Sequence, residues 1–97
     1  MSGQIRISPE QMRSRAAEVR NEGENFQQVI DKMQNLINAL RYEWEGQASE
    51  QFAMQFDTLK PSFIQMKQLI DDIGSQLDGT ANAIERLDQD IAQKFSI

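Results

Sequence analysis

The stretch that decides the fold is residues 39–52, which read ALRYEWEGQASEQF. It joins two long segments whose apolar residues recur every three or four positions, the spacing of one face of an α-helix. Trp44 continues the pattern of the first segment. Gly46, two residues later, has the backbone freedom needed to end one helix and start the next. The stretch therefore predicts an antiparallel helical hairpin whose turn is residues 44–46.

The first helix is predicted from about residue 8 to residue 43. Ser8 is a suitable N-cap, Pro9 suits the first helical position and Gln11 completes a capping box. Apolar or small residues then follow a 4-3 heptad spacing, and neighbouring apolar residues widen the stripe on one flank. The stripe consists of Met12, Ala16, Val19, Gly23, Phe26, Ile30, Met33, Ile37, Leu40 and Trp44.

The second helix is predicted from about residue 47 to residue 94, again on a 4-3 spacing. Its stripe consists of Phe52, Phe56, Leu59, Phe63, Met66, Ile70, Ile73, Leu77, Thr80, Ile84, Leu87 and Ile91. Pro61 lacks a backbone donor, so we expect a kink or local loosening there but no full break. Gly74 and Gly79 each weaken a helix by roughly 1 kcal/mol relative to alanine. The C-terminal third should be the least firm part.

A single hairpin would leave half of each wide stripe in water. The simplest closed arrangement pairs two copies into a four-helix bundle, so the sequence predicts an all-α homodimer. The residues predicted to form its core and dimer contacts are Phe26, Ile30, Met33, Ile37, Leu40, Phe52, Phe56, Leu59, Phe63, Met66 and Ile70.

Composition excludes most enzyme mechanisms. The 97 residues include no cysteine and no histidine, which removes thiolate nucleophiles, Ser-His-Asp triads and the usual zinc sites. Carboxylate pairs such as Asp71 with Asp72, or Asp88 with Asp90, lack the partners of a di-iron or calcium site. We therefore expect no catalytic, cofactor or metal site.

Charge and hydropathy argue against nucleic-acid and membrane partners. The net charge is −5, and residues 44–97 hold nine carboxylates and four cations, whereas residues 1–43 hold six of each. Neither nucleic-acid binding nor membrane interaction is expected from such a surface. The first residues, MSGQIRIS, lack the features of a signal peptide, and no run of eighteen apolar residues occurs.

The triplet Trp44-Glu45-Gly46 in a turn near the middle of about one hundred residues, between two heptad helices, resembles the WXG-100 family of early-secreted-antigen-like proteins. The resemblance covers essentially the whole chain. It implies a protein that is cytoplasmic before export and is then secreted, without a signal peptide, by a type VII secretion system. It also implies recognition by the membrane-bound FtsK/SpoIIIE-like ATPase of that machine, and possible co-secreted helical partners.

The family resemblance implies a second element, a C-terminal export signal. In homodimeric Gram-positive members it reads hydrophobic-x-x-x-Asp/Glu-x-x-hydrophobic-x-x-x-hydrophobic. Ile84, Asp88, Ile91 and Phe95 match this spacing, whereas the tyrosine signal of another branch is absent, since the one tyrosine is Tyr42. In an antiparallel dimer the turn of one subunit would lie near this tail of the other, so a receptor could read both together.

The residues alone leave other interpretations open. Trp44 and Gly46 suit the apolar plug and the turn of an ordinary hairpin, and Ile84 and Ile91 suit the last core positions of a helix. A cytoplasmic helical adaptor or chaperone that is never exported is the main alternative function. Membrane lysis by an amphipathic helix is a third, and the acidic second half argues against it.

Overall fold

The fold is an all-α hairpin, as the sequence predicts. A computed structural model describes residues 7–44 and 46–95, and within that part of the chain the elements are helix α1, Pro9–Glu43, and helix α2, Gln47–Phe95. The two helices pack antiparallel. Arg41 pairs with Glu50 at the turn end of the hairpin, and Arg13 pairs with Glu85 at the opposite end. The molecule is a rod measuring 78 × 23 × 17 Å.

Helix α1 starts at the predicted capping box. The Ser8 hydroxyl oxygen accepts a hydrogen bond from the Gln11 backbone N–H at 3.1 Å, and the Gln11 side-chain oxygen accepts one from the Ser8 N–H at 3.0 Å. Pro9 occupies the first helical position, where its missing N–H removes no helical bond. The start of the helix is therefore specified locally, by three residues.

Helix α2 is 49 residues long, ends one residue later than expected and continues through Pro61 without a break. Pro61 is exposed, so the carbonyl group that loses its helical donor can be solvated. Packing of both neighbouring turns against α1 maintains the helix across this position.

The hydrophobic core lies in the half of the hairpin next to the turn, which we call the turn half. It is a cluster of Ile30, Ile37, Ala53 and Phe56, with Phe26 and Phe63 packed against it. The Phe56 and Phe63 rings are 6.2 Å apart, within the range of favourable tilted aromatic pairs. The largest apolar contacts between the helices are therefore concentrated near the turn.

The opposite end, which we call the open half, is joined through small residues. Ala16, Gly23, Gly74 and Ala81 are buried there, and Met12 near the start of α1 is, among the described residues, the one large buried side chain of this half. A Cβ atom added at Gly23 would lie 2.7 Å from Asp71 Oδ1 and 3.2 Å from Ile70 Cγ2, so the helices approach closely at this point. The two halves of one hairpin thus use different packing.

The seam of α2 is rotated relative to the sequence prediction. Phe56, Phe63 and Ile70 face α1 as expected, but the intervening seam positions fall one residue later than expected. The expected positions were Phe52, Leu59, Met66, Ile73 and Thr80, and the positions that face α1 are Ala53, Lys60, Lys67, Gly74 and Ala81. Ala53, Gly74 and Ala81 are small and allow close helix approach, whereas Lys60 and Lys67 are half-buried along the same line. The larger apolar set is left on an open flank.

Gly79 in α2 has open space around it, whereas Gly23 in α1 is crowded, so the two positions provide a stability test. Gly79→Ala should raise the free energy of unfolding by about 0.5–1 kcal/mol, because a Cβ there meets nothing within 4 Å and alanine favours helix. Gly23→Ala should gain less or lose stability, since the new methyl displaces the Asp71 carboxylate and crowds Ile70 Cγ2, which offsets the gain in helix propensity. Chemical denaturation at one fixed protein concentration measures both, and equal stabilisation would contradict the close approach at Gly23.

Candidate functional site

The turn depends on a residue that ends α1 and on a backbone position that favours glycine. Trp44 is the C-cap, with extended backbone angles of φ −126° and ψ 92°, and its N–H donates to the Leu40 carbonyl at 2.8 Å. Gly46 has φ +148°, a conformation that side chains strongly disfavour. Glu45, the middle residue of the predicted motif, lies outside the described residues. The Trp-x-Gly spacing therefore has a backbone cause.

The Trp44 side chain is divided between packing and solvent. Its ring lies 5.9 Å from the ring of Phe52 at the start of α2, and 46% of the residue remains exposed. Phe52 is itself 49% exposed, so the pair forms an apolar tip at the turn end of the rod. Trp44 can therefore plug the hairpin and still present an aromatic surface to another protein.

An ion pair holds the two helices together beside the turn. Arg41 donates to the Glu50 carboxylate through Nη2 at 2.9 Å and through Nε at 3.3 Å. The hydrogen bonds and charge of Arg41 lower the pKa of the Glu50 carboxyl, and Glu50 in turn raises the pKa of Arg41. Nearby, the buried Ser49 hydroxyl donates to the Gly46 carbonyl at 2.9 Å. These contacts position the tip.

One side of the hairpin exposes a row of large apolar side chains, and we call this side the apolar flank. It borders a groove of ≈ 320 Å³ between the helices whose walls are almost entirely apolar. The flank residues, each at least 38% exposed, are Val29, Met33, Leu36, Leu40, Phe52, Leu59, Met66, Leu69 and Ile73.

The predicted core and dimer residues divide between two locations. Those that face the other helix, buried or half-buried, are Phe26, Ile30, Ile37, Phe56, Phe63 and Ile70. Those exposed on the apolar flank are Met33, Leu40, Phe52, Leu59 and Met66. Only the first group packs mainly against the other helix of the same chain.

The predicted C-terminal signal lies on the exposed end of α2. Ile84 is half-buried, Asp88 is exposed, and Ile91 and Phe95 are 47% and 82% exposed. Because Arg13 pairs with Glu85 in an antiparallel hairpin, Pro9 lies opposite about residue 89, and α2 continues beyond it. The last two turns of α2 therefore present apolar and acidic groups that do not pack on α1.

A single chain does not bring the turn and the tail together. The tip with Trp44 and the tail with Phe95 lie at opposite ends of a rod 78 Å long. A receptor surface shorter than the rod could contact both elements if a second copy placed its own tail beside this tip.

Sequence reasoning missed an ionic edge along the side of the hairpin away from the apolar flank. Arg41 pairs with Glu50, Arg20 pairs with Asp78, and Arg13 pairs with Glu85. The spacing could have revealed it, because these arginines are separated by multiples of seven residues, and so are the three carboxylates. This edge favours the antiparallel pairing of the two helices.

Two kinds of feature are absent from the part of the chain that the structure describes. Neither α1 nor α2 contains a stretch long and apolar enough to cross a membrane. Within residues 7–44 and 46–95, no three side chains among His, Cys, Asp and Glu are arranged to hold a metal ion.

Comparison with known proteins identifies the family. Residues 4–89 match the family described as "Proteins of 100 residues with WXG". Protein YukE of Bacillus subtilis is 44% identical over 95 residues, covering 98% of each chain. Type VII secretion system extracellular protein A of Staphylococcus aureus is 29% identical over 93 residues, covering 96% of each chain.

Solved structures agree with the hairpin. EsxA of Geobacillus thermodenitrificans superposes with a TM-score of 0.85 at 37% identity, covering 95% of this chain and 99% of that one. The secreted protein EsxB of Bacillus anthracis gives a TM-score of 0.77 at 25% identity, covering 90% and 97%. With its hairpin, its Trp44 and Gly46 at the turn and these relatives, the chain belongs to the WXG100 family.

Proposed function

We propose that this protein is exported by a type VII secretion system as a folded homodimer, recognised through its turn and its C-terminal tail. The observation that carries the proposal is the half-exposed Trp44 at the tip of a hairpin whose relatives include a protein named as a type VII extracellular protein. Family membership supports the export route, and the exposed positions of Trp44, Asp88 and Phe95 support their role in recognition.

Homodimerisation is supported by the chemistry of the apolar flank. On α2, every flank position from Phe52 to Ile73 at three- or four-residue spacing is uncharged, including Gln55 and Ser62. Apolar area removed from water contributes roughly 25 cal/mol per Å², so covering half-exposed Phe, Leu, Met and Ile side chains favours association strongly. A second copy offers the same uncharged flank, and a two-fold pairing covers both.

An antiparallel dimer would form the composite recognition surface. It places the tip of one subunit, with Trp44, beside the tail of the other, with Asp88 and Phe95. Such a surface offers two aromatic anchors and one carboxylate, which suits a receptor with an apolar pocket and a nearby cation. The receptor we propose is the FtsK/SpoIIIE-like secretion ATPase, and co-secreted helical proteins are further candidate partners.

The proposed route starts in the cytoplasm, where the dimer folds, and ends outside the cell. The test compares cells with and without the FtsK/SpoIIIE-like ATPase, measuring the ratio of this protein in cleared medium to protein retained in cells. We expect that ratio to exceed the ratio for a cytosolic marker many-fold, and to fall to the marker's value without the ATPase. Equal ratios in both strains would favour a helical adaptor or chaperone that stays inside.

A further inference from the structure

Different forces hold the two helices together in the open half and in the turn half of the hairpin. All members of the hydrophobic core cluster, from Phe26 to Ile37 and from Ala53 to Phe63, lie in the turn half. In the open half, apart from Met12 near the start of α1, the buried positions are Ala16, Gly23, Gly74 and Ala81, whose side chains contain one carbon or none. The larger apolar residues Val19, Ile70, Leu77 and Ile84 are only half-buried there, and none belongs to the core cluster of the turn half. We therefore take less apolar area to be removed from water in the open half.

Two reciprocal contacts join the helices at the border of the open half. Arg20 precedes Gly23 by three residues, and Asp71 precedes Gly74 by three residues. Because the helices are antiparallel, each charged side chain lies over the glycine of the other helix. A Cβ at Gly23 would lie 2.7 Å from Asp71 Oδ1, and one at Gly74 would lie 3.1 Å from Arg20 Cγ. The glycines make room for the charged groups.

Oppositely charged groups surround this crossing and continue to the open end. Lys67 Nζ lies 2.6 Å from Asp71 Oδ2 and 3.8 Å from Glu24 Oε1, and Lys67 is the least exposed member of these pairs, at 21%. Arg20 pairs with Asp78. Closer to the end, Arg13 donates to Glu85 and to Asn82, both at 2.7 Å. Lys67–Asp71 lies within α2, whereas the other three pairs join the two helices. We call these three, Arg13–Glu85, Arg20–Asp78 and Lys67–Glu24, the ion clamp.

We propose that the open half, formed by residues 9–24 and 67–92, opens and closes as a unit separate from the turn half, and that the ion clamp controls its closure. Partly exposed ion pairs are individually weak and are screened by salt, whereas an apolar core is not weakened by salt. Gly74 and Gly79 further lower the helix propensity of this part of α2. Segments with few buried apolar contacts open at lower free energy than the global unfolding transition.

The unit includes most of the candidate export signal, since Ile84, Asp88 and Ile91 lie on its α2 segment. Opening the clamp would separate this segment from α1 while the turn half stays folded. A receptor could then bind the tail without breaking the dimer contacts near the turn. This assignment of purpose rests on the proposed export function, whereas the separate opening of the unit does not.

Amide hydrogen exchange on the full chain, read by mass spectrometry, tests the separate opening. Raising NaCl from about 0.05 M to about 1 M shortens the screening length from roughly 14 Å to roughly 3 Å. Exchange in peptides from residues 75–92 should accelerate roughly three- to tenfold, the effect of weakening a few exposed ion pairs. Exchange in peptides from residues 50–63 should be unchanged or slower. Acceleration of both segments by the same factor, or of neither, overturns the proposal.

A matched pair of variants identifies the clamp as the cause. Arg20→Met keeps an unbranched apolar stem over Gly74 but removes the charge, so at low salt it should accelerate exchange in residues 75–92 and reduce the further effect of salt. Arg41→Met makes the same change in the Arg41–Glu50 pair of the turn half and should leave residues 75–92 unaffected. The same acceleration by both variants would mean that the hairpin opens as one unit. If Arg20→Met fails to fold, the salt comparison on the unmutated chain decides.

Discussion

Leu59→Asp should convert the homodimer into a monomeric hairpin that is still folded. Leu59 is 51% exposed in the single hairpin and lies on the uncharged apolar flank, so its replacement costs the hairpin itself little. In the dimer, the new carboxylate would be buried without a partner, which costs several kcal/mol per subunit. Light scattering at micromolar concentration should fall from about twice the chain mass to 11.2 kDa, with helicity by circular dichroism retained.

The structure determines which variants test the dimer cleanly. Phe56 and Ile30 are only 6% and 3% exposed, because they form the core of the hairpin, so Phe56→Asp or Ile30→Asp should abolish the dimer by unfolding the chain. Gln65→Asp is the matched control, since Gln65 is exposed on α2 away from the flank. It should leave the dimer mass unchanged. An intact Leu59→Asp dimer, or a stable monomer of the unmutated chain, would refute the bundle.

Trp44→Arg should lower the ratio of secreted to cell-retained protein by about tenfold or more, the effect typical of removing one aromatic anchor. The dimer mass and helicity should change little, because Trp44 is half-exposed and contacts mainly Phe52. Secretion is measured against Gln65→Ala, a substitution of an exposed residue on the same chain. Equal ratios for the two variants, with both dimers intact, would leave Trp44 only the role of a plug on Phe52.

The tail variants extend the same experiment. Asp88→Ala and Phe95→Ala should each lower secretion without loss of stability, because both side chains are exposed and the substitutions remove no core contact. Gly46 is a poorer site for such a test. Its φ of +148° would strain any side chain, so a variant could lose stability before it lost recognition. A secretion defect at Trp44 with none at either tail position would contradict the composite surface.

The elements of this fold could be predicted from the sequence because their signals are local. The capping box at Ser8 and Gln11 acts within one helical turn, and the 4-3 spacing of apolar residues follows from helical geometry alone. Gly46 is favoured by the positive φ of one turn position, which is also a local requirement. For these features the predicted bounds and the observed bounds differ by no more than one residue at each defined end.

What the sequence could not determine was which neighbour each apolar residue contacts. A stripe broad enough for two neighbours has the same period on both sides, so the spacing predicted Leu59 in the seam and gave no signal for Lys60. Only the tertiary structure, through the close approach at Gly23 and Gly74, assigned Lys60 to the inner seam and Leu59 to the open flank. It also placed Trp44 and Phe95 at opposite ends of the rod. Periodicity describes the direction of a side chain around its own helix axis, whereas burial depends on how closely another helix approaches that axis.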